Sequence, residues 1–569
     1  MPIIDKISES KDILFIVAMT LLFLIAPFYS QYNGGGAGLS LPFNISVWLA
    51  ASWIMAIGIL LFINTKNFSY PQAWLYLIIF PVIVILSSIS ANISQPIAWF
   101  FRQLYILGGL VFLFSLFQFR PKQRSLDLLL LILVIATGLH ALLGAIQISA
   151  PELIAAWFPT NRGFVPSGVF QQINVQAIFL VTGLVISLFL MSRPSFRMSA
   201  RITKLIVVIS FSLAFYVIIA SGSRAALLSL LVSLPLVLVS RFKQLRYQKV
   251  LLTVLLITSC VGFMAGLAGL DKTLDKTARL TEQSYADARV AMYAVGMELV
   301  AKEPLHGYGI GGFLRAWNTQ VSDFVSRYPD TGMPDNVSHP HNETLFWMIE
   351  GGLSALIGLL SFIVGVSVAL YRCGFQRGGA YAAILFPISF HTQVELPFYI
   401  SSLHWFLWLF LIYLVLRHQT KICSVSTSFA MTRVIQVVAT LFAVGMTWFM
   451  INTSRAQEDL HRYLYNVNPQ TPYLQVAMNN LYFKPEAERS AMHTMLFDSI
   501  DKNDRRRVEE FEVWAQNYVL RDPRLEMYSD LIAASRFLRP EGNGCDAIAA
   551  GIAMYAPNEA LQKAYIQCQ

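Results

Sequence analysis

Apolar residues run along this chain in long unbroken blocks separated by short polar breaks, with neither the alternation of half-buried strands nor the single stripe of a soluble helix. About 20 apolar residues cross a bilayer, and windows of about that size fall near 12–31, 46–64, 71–89, 97–117, 126–148, 172–192, 203–220, 224–240, 250–269, 345–371, 378–394, 402–416 and 434–452. The pattern predicts an all-α polytopic membrane protein with about thirteen transmembrane helices. The first block is long, lacks a small-residue cleavage site and is followed by many like it, so it reads as a helix and not a leader.

Lys and Arg then orient the helices. Alternate breaks hold Lys6 and Lys11; Lys66; Arg120, Lys122 and Arg124; Arg193, Arg197, Arg201 and Lys204; Arg241, Lys243, Arg246 and Lys249; Arg372 and Arg377; and Arg417, Lys421 and Arg433. The intervening stretches Gln31 to Asn44 and Asn92 to Pro96 have none, which places the first set in the cytoplasm. The expected domains are a transmembrane domain over 1–452, with a large outer loop at 270–344, and a helical outer C-terminal domain over 453–569.

Composition agrees, with 56% of the 569 residues hydrophobic and 13% charged. The net charge of +9 is spread over the breaks and not gathered on one face, which argues against nucleic acid. The five cysteines show no zinc spacing, and Cys545 and Cys568, both in the tail, are the pair an oxidising compartment would allow to join.

Five polar stretches lie where the predicted outer loops meet the membrane, where ionisable groups are expensive to keep. In Ser338-His-Pro-His-Asn-Glu-Thr-Leu-Phe-Trp347, His339, His341, Asn342 and Glu343 leave three readings open: metal ligation, general acid–base work, or capping of the helix that follows. In Ala220-Ser-Gly-Ser-Arg-Ala-Ala226, Arg224 opens a span with no acidic neighbour, either snorkelling to head groups or capturing an anion. Arg289 precedes an amphipathic pattern of Val290, Tyr293, Ala294 and Met297 that reads as a helix on the membrane surface. This leads into the glycine-rich Pro304–Phe313, which follows no strand and so suggests a tight turn with close backbone approach, not a phosphate loop. Amides at Gln171, Gln172 and Asn174 stand at the mouth of the sixth span. Finally, His391-Thr-Gln-Val-Glu-Leu-Pro-Phe-Tyr399 places Glu395 and Tyr399 beside a helix-interrupting Pro397.

The order of these segments, with Ser-Gly-Ser-Arg-Ala-Ala, a second outer arginine, a glycine turn and His-x-His-Asn-Glu on one membrane side, resembles the O-antigen ligase and polymerase superfamily. Within it, the outer tail and the Gln-Gln-Ile-Asn and Val-Glu-Leu-Pro-Phe-Tyr segments look most like PglL-type protein O-oligosaccharyltransferases. The resemblance implies a GT-C-like glycosyltransferase of the bacterial inner membrane. It would transfer a preassembled oligosaccharide from undecaprenyl pyrophosphate to a Ser or Thr hydroxyl of a periplasmic, pilin-like protein, with no cofactor and no metal. It implies His341 as general base and Arg224 and Arg289 as ligands of the donor pyrophosphate. Gln172, Asn174, His339, Asn342, Glu343, Glu395 and Tyr399 would position substrate.

Two other readings remain. A ligase to lipid A-core or a polymerase would share the donor, arginines and base, and only the tail favours a protein acceptor. A transporter of lipid-linked glycan would bind the anion and react with nothing, although no internal repeat of the usual transporter kind is evident. Arg102 is open as well, as either a third anion contact or an interfacial anchor.

Overall fold

Helices occupy all thirteen predicted positions in the computed structural model, which describes residues 2–90, 93, 95–158, 164–282, 288–329, 331, 333–334, 337–465 and 471–568. Asn92 and Asp287 lie outside the described residues. Among those described, nine helices are long and apolar enough to cross a membrane, and the chain is an all-α polytopic membrane protein. The other four expected crossings, Trp74–Ser90, Arg224–Ser240, Ala380–His391 and Ser402–Leu416, are shorter. At 1.5 Å per residue Ser402–Leu416 spans only about 22 Å. Three of the four contain a proline, Pro81, Pro235 or Pro387.

Contacts divide the chain into two compact units, one of residues 1–78, 107–277 and 362–454, the other of 79–106, 278–361 and 455–569. The first is built around Ile173–Met191, a helix apolar on every face, whose residues from Val175 to Met191 are all buried. Gln123–Ser149, Arg201–Ser221, Arg224–Ser240 and Ala380–His391 pack around it. Close approach is permitted by Gly183, where a Cβ would lie 1.9 Å from Thr137 Oγ1.

The predicted grouping of loops is realised at the two ends of this unit. At one end, Lys122 N–H donates to Asp12, Arg120 to Ser69, Arg193 to Asp127, Arg241 to Ser192 and to the Gln376 carbonyl, and Arg417 to Gln123. Every one of these residues lies in or beside a break assigned to the same set by its Lys and Arg. That end also holds a pair of strands unforeseen in an all-helical chain. Asn67–Pro71 runs antiparallel to Thr420–Ser424, with Asn67 opposite Ser424 and Pro71 opposite Thr420. At the other end Gln171 donates to Asn33, Ser223 to Asn174, and Asn44 to the carbonyls of Gly38 and Ile400.

The second unit contains the helices Ala288–Lys302 and Phe313–Arg327 and those of the tail. Val290, Ala294 and Met297 of the expected amphipathic face are exposed, while Ala291, Met292, Val295 and Leu299 form the buried face. Helices Lys484–Asp501, Arg505–Val519, Leu525–Leu538, Cys545–Met554 and Glu559–Ile566 enclose Leu496, Val508, Phe511, Met527, Leu531, Tyr555 and Leu561.

Cys545 and Cys568 are joined as a disulfide across a separation of 23 residues. Closing a loop of that length stabilises the tail by about 3 kcal/mol through the unfolded chain. Cys568→Ser is therefore expected to make helices Cys545–Met554 and Glu559–Ile566 the first to lose amide-exchange protection.

Within the tail, His493 Nδ1 lies 2.9 Å from the buried Asp530 carboxylate. The hydrogen bond to Asp530 raises the imidazole above its usual value, against an opposing effect of burial. A raised folded value means that this stabilisation is fully present below the unfolded value of about 6.5 and is lost as pH rises through the folded one. Melting of the full chain is expected to show a step of lost stability as pH rises above about 6.5 that His493→Gln abolishes.

Candidate active site

In the second unit the helix Glu343–Arg372 starts where its sequence directs. Asn342 Oδ1 accepts the Leu345 N–H at 2.8 Å, and the Asn342 carbonyl accepts that of Phe346. Asn342 is thus the N-cap, as the capping reading foresaw for the asparagine. His341 stands immediately before it with φ 51°, a left-handed backbone uncommon outside glycine, which histidine adopts more readily than most residues. His339 sustains that geometry, since its Nδ1 accepts the His341 N–H at 3.3 Å and the two rings meet edge to face at 4.4 Å. His339 is engaged with its neighbour's backbone, while His341 carries the strain.

The same helix breaks at Gly352, with φ 65° and ψ −166°, and the glycine-rich turn docks into the break. Tyr308 N–H donates to the Ile349 carbonyl at 2.9 Å and Leu353 N–H to that of Pro304 at 2.7 Å. A Cβ on Gly307 would strike the Ile349 carbonyl, which is the close approach expected of this cluster. Burial, with Glu303 adding, pushes the Tyr308 phenol up. Glu343 Oε1 accepts from Trp347 Nε1, and its Oε2 is buried without a hydrogen-bond partner among the described residues.

Arg289 is half-buried in the first turn of Ala288–Lys302. That helix is held to Phe313–Arg327 by Lys302 donating to Gln320 and by Arg327 pairing with Glu298 at 2.6 Å. The hydrogen bond from Arg327 is the main cause holding the Glu298 carboxyl below its ordinary value.

In the first unit, Arg224 is the first residue of Arg224–Ser240, and among the described residues it forms no ion pair with a carboxylate. Gly222 makes the preceding turn at φ 62°, and Ser223 caps the helix by accepting the Ala226 N–H while donating to Asn174 Oδ1 at 2.8 Å. Asn174 therefore fixes the turn that presents Arg224. The cap Ser223 is a residue that sequence reasoning passed over, although Ser before a helical run is a standing N-cap signal.

The neighbouring amides separate by geometry. Gln171, left-handed at φ 56°, spends its side chain on Asn33, whereas Gln172 has a buried Oε1 without a partner among the described residues. Glu395 is buried and its Oε1 accepts the Leu396 N–H, while Tyr399 lies in the short helix Pro397–Ile400 and is half-buried. Asn44 holds the end of that helix, donating to the Ile400 carbonyl and accepting the Ser402 N–H, both at 2.8 Å. Of the expected residues, Arg224, Gln172, Asn174, Glu395 and Tyr399 belong to the first unit, and Arg289, His339, His341, Asn342 and Glu343 to the second.

Buried or half-buried carboxylates, guanidinium groups and histidine near helix starts are expensive to keep in a many-helix membrane chain. Residues 209–363 match the O-antigen ligase family, and residues 380–568 match the family described as virulence factor membrane-bound polymerase, C-terminal. The first match contains Arg224, Arg289 and the His339–Glu343 segment; the second contains Glu395, Tyr399 and the tail. Together they support the O-antigen ligase and polymerase superfamily and a glycosyltransferase-like activity that moves a lipid-linked glycan to an acceptor. No curated protein matches the chain.

Proposed function

We propose that the chain transfers a preassembled glycan from undecaprenyl pyrophosphate to a Ser or Thr hydroxyl of a periplasmic, pilin-like protein. The acceptor oxygen attacks the anomeric carbon, the bond from that carbon to the pyrophosphate oxygen breaks with inversion, and the lipid pyrophosphate leaves with the electron pair. His341 takes the hydroxyl proton. Arg224 and Arg289 hold the pyrophosphate and offset the charge that grows on it. Gln172, Asn174, His339, Asn342, Glu343, Glu395 and Tyr399 position the two substrates.

The observation that carries this reading is the backbone of His341, strained and braced by His339 ahead of a separately capped helix, because strain of this kind concentrates where a side chain must be aimed. The placement is an inner-membrane protein with a cytoplasmic N-terminus, residues 1–452 catalytic, and both the 270–344 loop and the 453–569 domain periplasmic. The Cys545–Cys568 disulfide supports an oxidising compartment for the tail.

The test is transfer from purified lipid-linked glycan to a mixture of periplasmic proteins, with and without EDTA. Protein mass increased by one glycan, insensitive to EDTA, supports the reading. Transfer to lipid A-core alone replaces it with a ligase, and glycan lengthened on its carrier with a polymerase. The polymerase reading has one observation of its own, the match over 380–568.

A further inference from the structure

Arg102, which the sequence leaves open as an anion contact or an interfacial anchor, is engaged inside the second unit. Its guanidinium forms an ion pair with Glu350, which is 2% exposed, and lies over the rings of Phe346 at 4.7 Å and Trp347 at 5.1 Å. The other carboxylate oxygen of Glu350 accepts the Gly311 N–H at 3.0 Å. One ion pair thus touches three pieces of the second unit: the start of the helix Pro96–Phe119, the first turns of Glu343–Arg372, and the glycine turn. Val84, Ile106, Ile310, Trp347 and Ala355 form an apolar cluster in the same unit, with Trp99 packed against it.

A buried ion pair in an apolar setting is a poor source of stability, because desolvation offsets most of the attraction and apolar residues of equal volume often serve as well. Its value lies in alignment: a guanidinium stacked on two rings and bonded to a carboxylate admits few geometries. Glu350 stands seven residues after Glu343, two turns along the same helix face, just before the break at Gly352. The short half-helix from Glu343 to Gly351 is therefore fastened near its end by Glu350 and along its length by Phe346 and Trp347. Whatever fixes that half-helix fixes the direction of His341, which is joined to its N-terminus through Asn342.

We propose that Arg102 and Glu350 are positioning residues that lock the half-helix carrying His341 against the glycine turn, and that Arg102 does not bind the donor anion. For its kinetic consequence this rests on the transfer reading above; for its structural consequence it does not. The experiment compares the full-length native protein with Arg102→Lys and Glu350→Gln in lipid nanodiscs. Glu350→Gln keeps the volume and an acceptor oxygen for Gly311, and it carries the test should Arg102→Lys fail to fold.

Amide exchange should quicken by about tenfold or more in peptides covering 306–313 and 339–347, since the glycine turn and the half-helix, no longer fastened together, open more often. With undecaprenyl-pyrophosphate glycan as donor, kcat should fall about a hundredfold, the usual cost of misplacing a catalytic group by about 1 Å. The KM for donor should stay within about twofold. Unchanged exchange in these peptides overturns the proposal whether or not the native protein turns over. A raised donor KM at unchanged kcat also overturns it and returns Arg102 to the anion site. Absence of transfer by the native protein defeats the transfer reading alone, and the exchange result still decides the lock.

Discussion

His341→Ala is expected to slow glycan transfer by about a hundred- to ten-thousandfold, the usual contribution of a positioned base, with little change in donor binding. Alanine alone is an ambiguous test, because it also adopts φ 51° unwillingly and so disturbs the backbone as well as the chemistry. His341→Asn separates the two. Asparagine tolerates the left-handed region and so preserves the turn, yet its amide cannot take a proton near neutral pH. Both variants should be equally slow, measured as single-turnover rates at saturating donor. Native turnover by His341→Asn would remove the histidine from the chemistry and leave it a backbone role.

The second large effect is expected at Gly352. Its φ and ψ lie in a region open essentially to glycine alone, and a Cβ there would meet the Leu305 carbonyl at 2.4 Å. Gly352→Ala combines about 1–3 kcal/mol of backbone strain with that overlap, and backbone on the other side leaves no flexible side chain to yield. The glycine turn is expected to leave the helix break, with loss of exchange protection at Tyr308 and Leu353 and a fall in turnover of about a hundredfold. Gly445→Ala is the matching control. Gly445 lies inside Phe429–Tyr465, and a methyl group there would meet nothing among the described residues within 4 Å, so alanine should be neutral or slightly stabilising. Equal effects at the two glycines would show that the break at Gly352 does no positioning.

The helical architecture was legible because a bilayer demands long apolar runs, and their length is a stronger signal than any propensity. The grouping of the loops was legible too, since Lys and Arg sorted them into the two sets that the hydrogen bonds of the first unit join. The strand pair was not. Asn67–Pro71 and Thr420–Ser424 are far apart in sequence, and neither stretch has a turn signal or partner nearby to mark it as a strand.

At the candidate site, the cap at Asn342 and the close approach of the glycine turn could be read from residue type alone. The break at Gly352 could not, because Gly351 and Gly352 sit within a continuous apolar pattern that fits an unbroken span. Arg102 was visible as a charge but not as a lock. Its partner Glu350 lies far along the chain, and nothing in the local pattern joins the two.

The pairing of Asn67–Pro71 with Thr420–Ser424 also sets an order of events during synthesis. About 350 residues separate the two strands, so at about 5–20 residues per second the first waits on the order of half a minute for its mate. During that interval its backbone edge is open to other chains, a hazard that brevity and the terminal Pro71 reduce. Closure of this end of the bundle is thus a late step that follows insertion of nearly every helix, and a chain arrested before Thr420 would present an unfinished edge for quality control to find.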